Sequence, residues 1–351
     1  MKKILLVTHH DLSDPGIISS LLHSKYLTCN INYKNLMKIA IIGEMHPDGW
    51  ETLKKNDYKP YEITNFSKDN LKKELQDTDG IILRTAANLT SDVLKDCNNI
   101  KIIARHGVGY DNVDLEFLNK NKIALGITGT SNAVSVAEQV LTSFLFLTKN
   151  VHLSDQLTRR GDFKQKSSLP DFFELYKKNV VIFGFGRIGK EVAKRCLGFD
   201  TNVYVHDPFV NKSDIEKFNC KPIDKIESIK FADYITIHLP LNEDTKNFIG
   251  AAEFSIMKNT AIIVNSARGG IVNEQALFNV LKSKKILGAA LDVFEKEPPE
   301  KDNPLFDLPN ILLSPHNAAL TLECRKRMAI ESAENIINFL NNKEKLNRDN
   351  I

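Results

Sequence analysis

Three ionisable side chains stand just beyond three separate apolar runs: Arg268 after Ala261-Ile-Ile-Val-Asn-Ser-Ala, Glu297 after Gly288-Ala-Ala-Leu-Asp-Val-Phe, and His316 after Ile311-Leu-Leu-Ser-Pro. Oxidising a hydroxyl to a ketone removes a hydride and a proton, and this trio suits everything except accepting the hydride. Histidine, with an ordinary pKa of about 6.5, gives or takes a proton near neutrality. A carboxylate beside the imidazole fixes its tautomer and stabilises the protonated form, the part expected of Glu297. A guanidinium grips a carboxylate and polarises a carbonyl, the part expected of Arg268. Singly, each has a structural explanation: a strand-end histidine, a solvated acid in a charged run, a surface ion pair. A nucleotide site beside all three favours the chemical one.

That site is legible in Val180-Val-Ile-Phe-Gly184-Phe-Gly186-Arg-Ile-Gly189. An apolar run turns at glycines and opens into a segment whose Ile188, Val192 and Cys196 share one helical face. Gly184 serves the turn, Gly186 lets backbone approach a pyrophosphate, and Gly189 permits close packing of helix on strand. Amides at the helix start, those of Arg187 and Ile188, face the phosphates, where the helix dipole also favours negative charge. The next alternating run, Asn202-Val-Tyr-Val-His206, delivers Asp207 about 20 residues beyond the glycines. Its carboxylate suits the ribose hydroxyls of NAD and repels the extra phosphate of NADP. The competing explanation is a turn residue before Pro208.

For Arg268, Glu297 and His316 to meet, their strands must end at one edge, as in a parallel sheet. Apolar runs at Tyr234 to Leu239, Ala261 to Asn265, Leu287 to Val293 and Ile311 to Ser314, with turns and helices between, have that character. Upstream, strands near Lys38 to Gly43, Pro60 to Ile63, Gly80 to Leu83, Lys101 to Ala104 and Ile123 to Gly126 alternate with helical stretches. The expected fold is therefore α/β, with two doubly wound parallel-sheet domains. In the first, Arg105-His-Gly107-Val108-Gly109 follows a strand, and its amides form either a nest for a substrate carboxylate or an ordinary glycine turn. Asn132 to Lys149 is a long apolar helix leading into the second domain, suited to core burial or a dimer contact. Residues 158–176 look like an exposed loop, and Leu320 to Leu340 like a last helix packing back on the first domain.

At 351 residues and a net charge of +3, the chain has room for two domains and no basic tract for nucleic acid. No apolar run is long enough to span a bilayer. Five cysteines, an odd number without a CxxC pair, argue against a zinc or disulfide framework and suit a reducing cytoplasm. Residues 1–36 fit the pattern least and are expected to be an appendage.

The chain from Met37 to about Leu340 resembles the D-isomer-specific 2-hydroxyacid dehydrogenases, the family that includes phosphoglycerate dehydrogenase. The resemblance rests on RHGVGYDNVD from Arg105, VAEQ from Val136, GFGRIG from Gly184, NSARGGIVNE from Asn265, GAALDVFEKEPP from Gly288 and SPH from Ser314. It implies an NAD-dependent enzyme interconverting a small D-2-hydroxy acid and its 2-keto acid, with Arg268, Glu297 and His316 catalytic. It implies further that Asp207 binds the adenosine ribose, Asp292 helps hold the nicotinamide, His238, Pro240 and Ala267 border the cofactor, and Val108 and Gly109 offer amides to the substrate. The implied architecture is a flavodoxin-like substrate domain, 37–130 plus 316–351, with a Rossmann domain, 131–315, inserted; the implied assembly is a homodimer. The Asn317-Ala-Ala-Leu-Thr321 stretch departs from many phosphoglycerate dehydrogenases, and no C-terminal regulatory domain is expected. Glu297 argues against formate dehydrogenases, which carry glutamine there. 3-Phosphoglycerate leads among substrates, with glyoxylate or hydroxypyruvate, lactate and sulfolactate open, as is a non-enzymatic NAD-sensing corepressor-like scaffold. Arg84, Arg159 and Arg160 are candidates for a phosphate or sulfonate subsite, against ordinary solvent-facing arginines.

Overall fold

The computed structural model describes residues 36–84 and 87–341. The expected appendage, 1–36, lies outside the described residues apart from Leu36. Residues 37–341 belong to one compact unit containing two parallel sheets.

The first sheet has strands β1 (Lys38–Ile42), β2 (Lys59–Ile63), β3 (Gly80–Leu83), β4 (Ile102–Arg105) and β5 (Ala124–Ile127) in the order β2-β1-β3-β4-β5. Helices α1 (Pro47–Lys55), α2 (Lys68–Glu74), α3 (Ser91–Leu94) and α4 (Leu115–Lys120) fill the crossovers. The central strands are apolar on both faces, and Ile39, Ala40, Ile42, Ile81, Leu83, Ile102 and Ile103 have no accessible surface. Each such Ile or Leu contributes roughly 1.5–3 kcal/mol of burial, which is why continuous rather than alternating apolar runs signal this sheet.

Helix α5 (Ala133–Thr148) then carries the chain to the second sheet. Its face bearing Ala137, Val140, Leu141, Phe144 and Leu147 is buried in the core of that sheet, so most of its apolar surface is used within the subunit. The segment expected to be a loop is partly ordered: α6 (Val151–Arg159) follows α5 across Asn150, whose φ of 45° makes the break, and a 3-10 turn occupies Phe163–Ser168. The apolar residues of α6 are few, Val151, Leu153 and Leu157, and none of the helix is fully buried.

The second sheet comprises β6 (Asn179–Phe183), β7 (Asn202–His206), β8 (Lys221–Pro222), β9 (Tyr234–Ile237), β10 (Ile262–Asn265), β11 (Gly288–Leu291) and β12 (Ile311–Leu313), in the order β12-β11-β10-β9-β6-β7-β8. Helices α7 (Arg187–Leu197), α8 (Lys212–Glu216), α9 (Lys225–Phe231), α10 (Ala251–Ile256) and α11 (Glu274–Lys282) complete it. The strand order reverses direction between β6 and β9, directly beyond the glycine turn, where the crevice of an open parallel sheet lies.

The last described helix, α12 (Leu322–Leu340), starts at Thr321, whose side chain accepts from Cys324 N at 3.2 Å. It returns to the first sheet: Asn335 Nδ2 donates to Ile127 O at 3.1 Å, and Ala329, Ala333 and Ile336 join the core over β1, β3 and β4. Where the chain crosses between sheets, Arg327 donates twice to Ser131 O, at 3.1 and 3.0 Å, and the Ser135 and Thr321 hydroxyls lie 2.8 Å apart.

Helices α1 and α12 touch where Gly49 leaves no room for a side chain; a Cβ there would lie 2.8 Å from Ala329 O. Gly49→Ala is therefore expected to cost about 1–3 kcal/mol. Urea denaturation should show a lower midpoint with unchanged slope; an unaltered midpoint would mean that the crossing is looser than described.

Candidate active site

The His316 imidazole meets Glu297, with Nδ1 2.8 Å from Oε2. The other carboxylate oxygen of Glu297 accepts from Phe294 N at 3.1 Å, so the acid is fixed to its own loop. Burial works to raise the Glu297 pKa, but hydrogen bonding and charge from His316, the Phe294 amide and Arg268 together hold it below the ordinary value. The same hydrogen bond raises the His316 pKa against the opposing effect of burial. With Nδ1 committed to Glu297, Nε2 is the atom left to exchange a proton.

His316 has φ of 50°, a left-handed conformation rare outside glycine, and its surroundings must enforce it. Asp292, 4% exposed at the end of β11, does so. Its carboxylate accepts from Ser314 Oγ at 2.5 Å, Asn317 N at 2.9 Å and Ala318 N at 3.0 Å, bracketing His316. Both Asp292 oxygens thus hold the His316 loop, at the strand end where its nicotinamide contact is expected.

Arg268 follows β10 on a turn pinned by Asn265, which donates through Nδ2 to Arg268 O at 2.9 Å and accepts from Ala267 N at 3.1 Å. Gly269 is forced by contact with the Glu297 loop, since a Cβ there would lie 1.8 Å from Phe294 O. The guanidinium donates to Ala267 O at 2.7 Å and reaches the first sheet, where Nε lies 3.4 Å from Asp111 Oδ2. A Cβ on Gly109 would fall 2.2 Å from its Nη2. The structure therefore joins Arg268 to the Gly107–Gly109 turn beside Val108. Beneath that turn, buried Arg105 donates to Leu83 O at 2.8 Å and Asn112 Oδ1 at 3.2 Å, and Asn112 in turn donates to Arg84 O and Ala87 O. Burial, with Arg268 nearby, lowers the Arg105 pKa to about 10.

The nucleotide end fits a dinucleotide on its own geometry. Gly184 has φ of +93°, and a Cβ would lie 2.5 Å from His238 O; a Cβ on Gly189 would strike Gly184 O at 2.1 Å. Above Gly186 there is open space, and α7 begins there without a side-chain cap. The first amides, Arg187 and Ile188 among them, thus face a region able to take phosphate. Asp207 accepts from Phe185 N at 2.7 Å and Phe209 N at 2.9 Å, which places its carboxylate beside the glycine turn. The Arg187 guanidinium packs over Gly129 beyond β5, so its side chain contacts the first sheet's edge. His238 is desolvated, its pKa lowered to about 3, and its Nε2 lies 3.0 Å from Thr236 Oγ1. Pro240 is exposed and accepts from Thr245 Oγ1 at 2.6 Å. Of the arginines considered for a phosphate subsite, Arg84 lines a cavity in the first sheet with His106 and Arg325. Arg159 instead pairs with Asp155 on the α6 surface at 2.7 Å.

A doubly wound nucleotide sheet beside a flavodoxin-like sheet, with a paired histidine and glutamate and an arginine at the adjoining strand ends, defines a two-domain dinucleotide-binding protein. The family model described as D-isomer specific 2-hydroxyacid dehydrogenase, NAD binding domain, matches residues 141–318. A D-3-phosphoglycerate dehydrogenase of Archaeoglobus fulgidus is 35% identical over 303 residues, 86% of this chain and 57% of that protein. A hydroxypyruvate reductase of Thermotoga maritima is 35% identical over 283 residues, 80% of this chain and 91% of the relative. The crystal structure of D-lactate dehydrogenase from Aquifex aeolicus, complexed with NAD and lactic acid, superimposes with a TM-score of 0.78 at 26% identity, covering 87% of this chain and 96% of that one. The chain belongs to the D-isomer-specific 2-hydroxyacid dehydrogenase family and carries its NAD-binding domain. It spans 57% of the length of the Archaeoglobus phosphoglycerate dehydrogenase.

Replacing Asp207 tests the nucleotide end. A hydrogen bond to a charged acceptor is worth about 1.5–3 kcal/mol, so Asp207→Ala should weaken NADH binding roughly 10- to 100-fold while sparing NADPH. Fluorescence titration with both nucleotides measures this, and equal losses for the two would count against the assignment.

Proposed function

We propose that this chain interconverts a small D-2-hydroxy acid and its 2-keto acid with NAD, 3-phosphoglycerate being the leading substrate. The observation that carries the reading is the His316–Glu297 pair standing with Arg268 beside the nucleotide crevice. When bound, NAD supplies the hydride acceptor or donor. Val108 and Gly109 offer amides to the substrate carboxylate, and Arg268, held against Gly109, grips that group and polarises the reacting carbonyl. His316 Nε2 takes the hydroxyl proton in oxidation and returns it in reduction, while Glu297 keeps the ring oriented and stabilises the imidazolium. Asp292 and Asn265 hold the loops bearing these groups. The sulfur chemistry suits a cytoplasmic setting, because the described cysteines, Cys97, Cys196, Cys220 and Cys324, are free and buried. Among the described residues no helix is long and apolar enough to cross a membrane. Exposed Val151, Phe163, Phe172 and Tyr176 give the homodimer reading a surface.

A screen of 2-keto acids with NADH, followed by absorbance, separates this reading from an NAD-sensing scaffold: nucleotide binding without turnover of any acid would favour the scaffold. In that assay His316→Ala should lose about 10²- to 10⁴-fold in kcat, the usual worth of a general acid or base, with NADH affinity retained.

The pH profile tests the pair. Reduction needs protonated His316, so its rate falls as pH rises through the folded histidine pKa. Glu297 raises that pKa; Glu297→Gln should therefore move the alkaline limb of kcat/KM to lower pH. The pair's contribution to stability is full between about pH 4.3 and about pH 6.5, the ordinary values of the two groups. It declines below that window as Glu297 protonates and above it as His316 loses its proton. A limb that stays in place in the variant would remove Glu297 as the partner.

A further inference from the structure

The turn carrying Arg268 and the loop carrying Glu297 are joined by one further side chain, that of Glu274. Glu274 lies six residues beyond Arg268 and opens α11, while Glu295 lies two residues before Glu297. Their contact is reciprocal: the Glu295 amide donates to Glu274 Oε1 at 2.5 Å, and the Glu274 amide donates to Glu295 Oε1 at 3.0 Å. The second oxygen of Glu274 accepts from Asn303 Nδ2 at 3.5 Å. Asn303 in turn accepts from Leu305 N at 3.0 Å and begins a 3-10 turn, Pro304–Asp307. One half-buried carboxylate thus holds both ends of the segment 295–303, within which Glu297 lies.

Neither local duty open to an acid at this position accounts for it. Helix α11 already has its cap in Asn273, whose Oδ1 accepts from Ala276 N at 2.8 Å. Charge pairing does not account for it either. Burial, and then the charges of Glu295 and Glu297, raise the Glu274 pKa against the hydrogen bonds from the Glu295 amide and Asn303. A carboxylate set beside two others is disfavoured electrostatically, so its contribution lies in what it holds. What it holds is the Phe294–Glu295 peptide. The carbonyl of that peptide faces Gly269, where a Cβ would lie 1.8 Å from Phe294 O, and its N–H is the one bound to Glu274. The Phe294 ring, 7% exposed, meets Phe306 of the 3-10 turn edge-on, with centroids 6.3 Å apart. One peptide earlier, Phe294 N donates to Glu297 Oε1 at 3.1 Å. Release of the Phe294–Glu295 peptide frees the path to Glu297, on which that bond and the 2.8 Å approach of Glu297 Oε2 to His316 Nδ1 both depend.

We propose that Glu274 is a positioning residue: by gripping the Glu295 amide it sets the Glu297 carboxylate against the His316 imidazole and keeps the Arg268 turn and the Glu297 loop in one register. The inference deepens the dehydrogenase reading and rests on it for what the imidazole does. The role needs the acceptor oxygen of Glu274 and not its charge. A neutral amide of the same shape therefore suffices, and a side chain without a strong acceptor does not.

The test follows the His316 ring by NMR titration of its C–H resonances in the whole protein, assigned by their loss in His316→Ala, beside the pH profile of keto-acid reduction. Glu274→Gln and Glu274→Met form the informative pair, since both are uncharged and similar in length and only glutamine keeps a strong acceptor. Asp292 and Arg268, which also face the ring, are unchanged in both. Glu274→Met should place the His316 pKa below that of Glu274→Gln, by roughly half the drop seen in Glu297→Gln. It should also lose about 3- to 10-fold in kcat/KM on the alkaline side, the worth of one hydrogen bond. Glu274→Ala should repeat the methionine result and serves where methionine prevents folding. Equal His316 pKa values in the glutamine and methionine variants, with or without a lower urea midpoint, would overturn the role. A shifted ring in the methionine variant, with no 2-keto acid reduced by the parent protein, would leave the positioning role standing and reject the dehydrogenase reading.

Discussion

A buried carboxylate with three hydrogen-bond donors around it fixes the chemistry of this protein in space. Asp292 sits at the end of β11 almost out of contact with water, a position that disfavours a charged group unless hydrogen bonds replace its hydration. The donors come from the segment crossing from β12 towards α12, on both sides of His316. That segment has to take a sharp path, and His316 a left-handed backbone, for all three to reach one acid. The orientation of the imidazole is thereby tied to the second sheet's core, and Glu297 has only to complete it from the neighbouring loop.

The same economy governs the other reacting group. Arg268 is positioned by the buried amide of Asn265, by Gly269 pressed against Phe294, and by Gly109 across the cleft. Two of these three constraints are absences of a side chain. They let loops from different strands approach more closely than any Cβ would allow, so the crevice is shaped by glycine packing as much as by the charged residues facing it.

The sheets, the glycine turn and the chemical trio were legible because each rests on a local pattern or a short-range steric demand. Continuous apolar runs such as Ala261 to Asn265 announce buried parallel strands, and Gly184, Gly186 and Gly189 meet three separate requirements within one turn. The pairing of Glu297 with His316 followed from where their strands end. What escaped was set by tertiary contact. Helix α6 buries no residue fully and carries few apolar ones, and the two-residue edge strand β8 is too short to show a pattern. Asp292 was expected beside the nicotinamide from the family resemblance alone, and its hold on the His316 segment depends on the path of that segment, which no local pattern records. His106 and Arg325 gave no signal, since one directly precedes a glycine turn and the other lies in an amphipathic helix, and their convergence depends on α12 folding back over the first sheet.

That return has an electrostatic consequence. Arg84, Arg105 and Arg325 belong to, or are carried onto, the first sheet, and Arg268 reaches it from the second. Burial first, and the neighbouring positive charge of Arg268 after it, lower the Arg105 pKa, because like charges in a partly desolvated crevice repel. Asp111, largely exposed, offsets little of this. Positive charge gathered in this way disfavours itself and favours a nearby anion on electrostatic grounds. The return of α12 therefore concentrates positive charge at the first sheet's strand ends, where Arg268 also arrives from the second sheet.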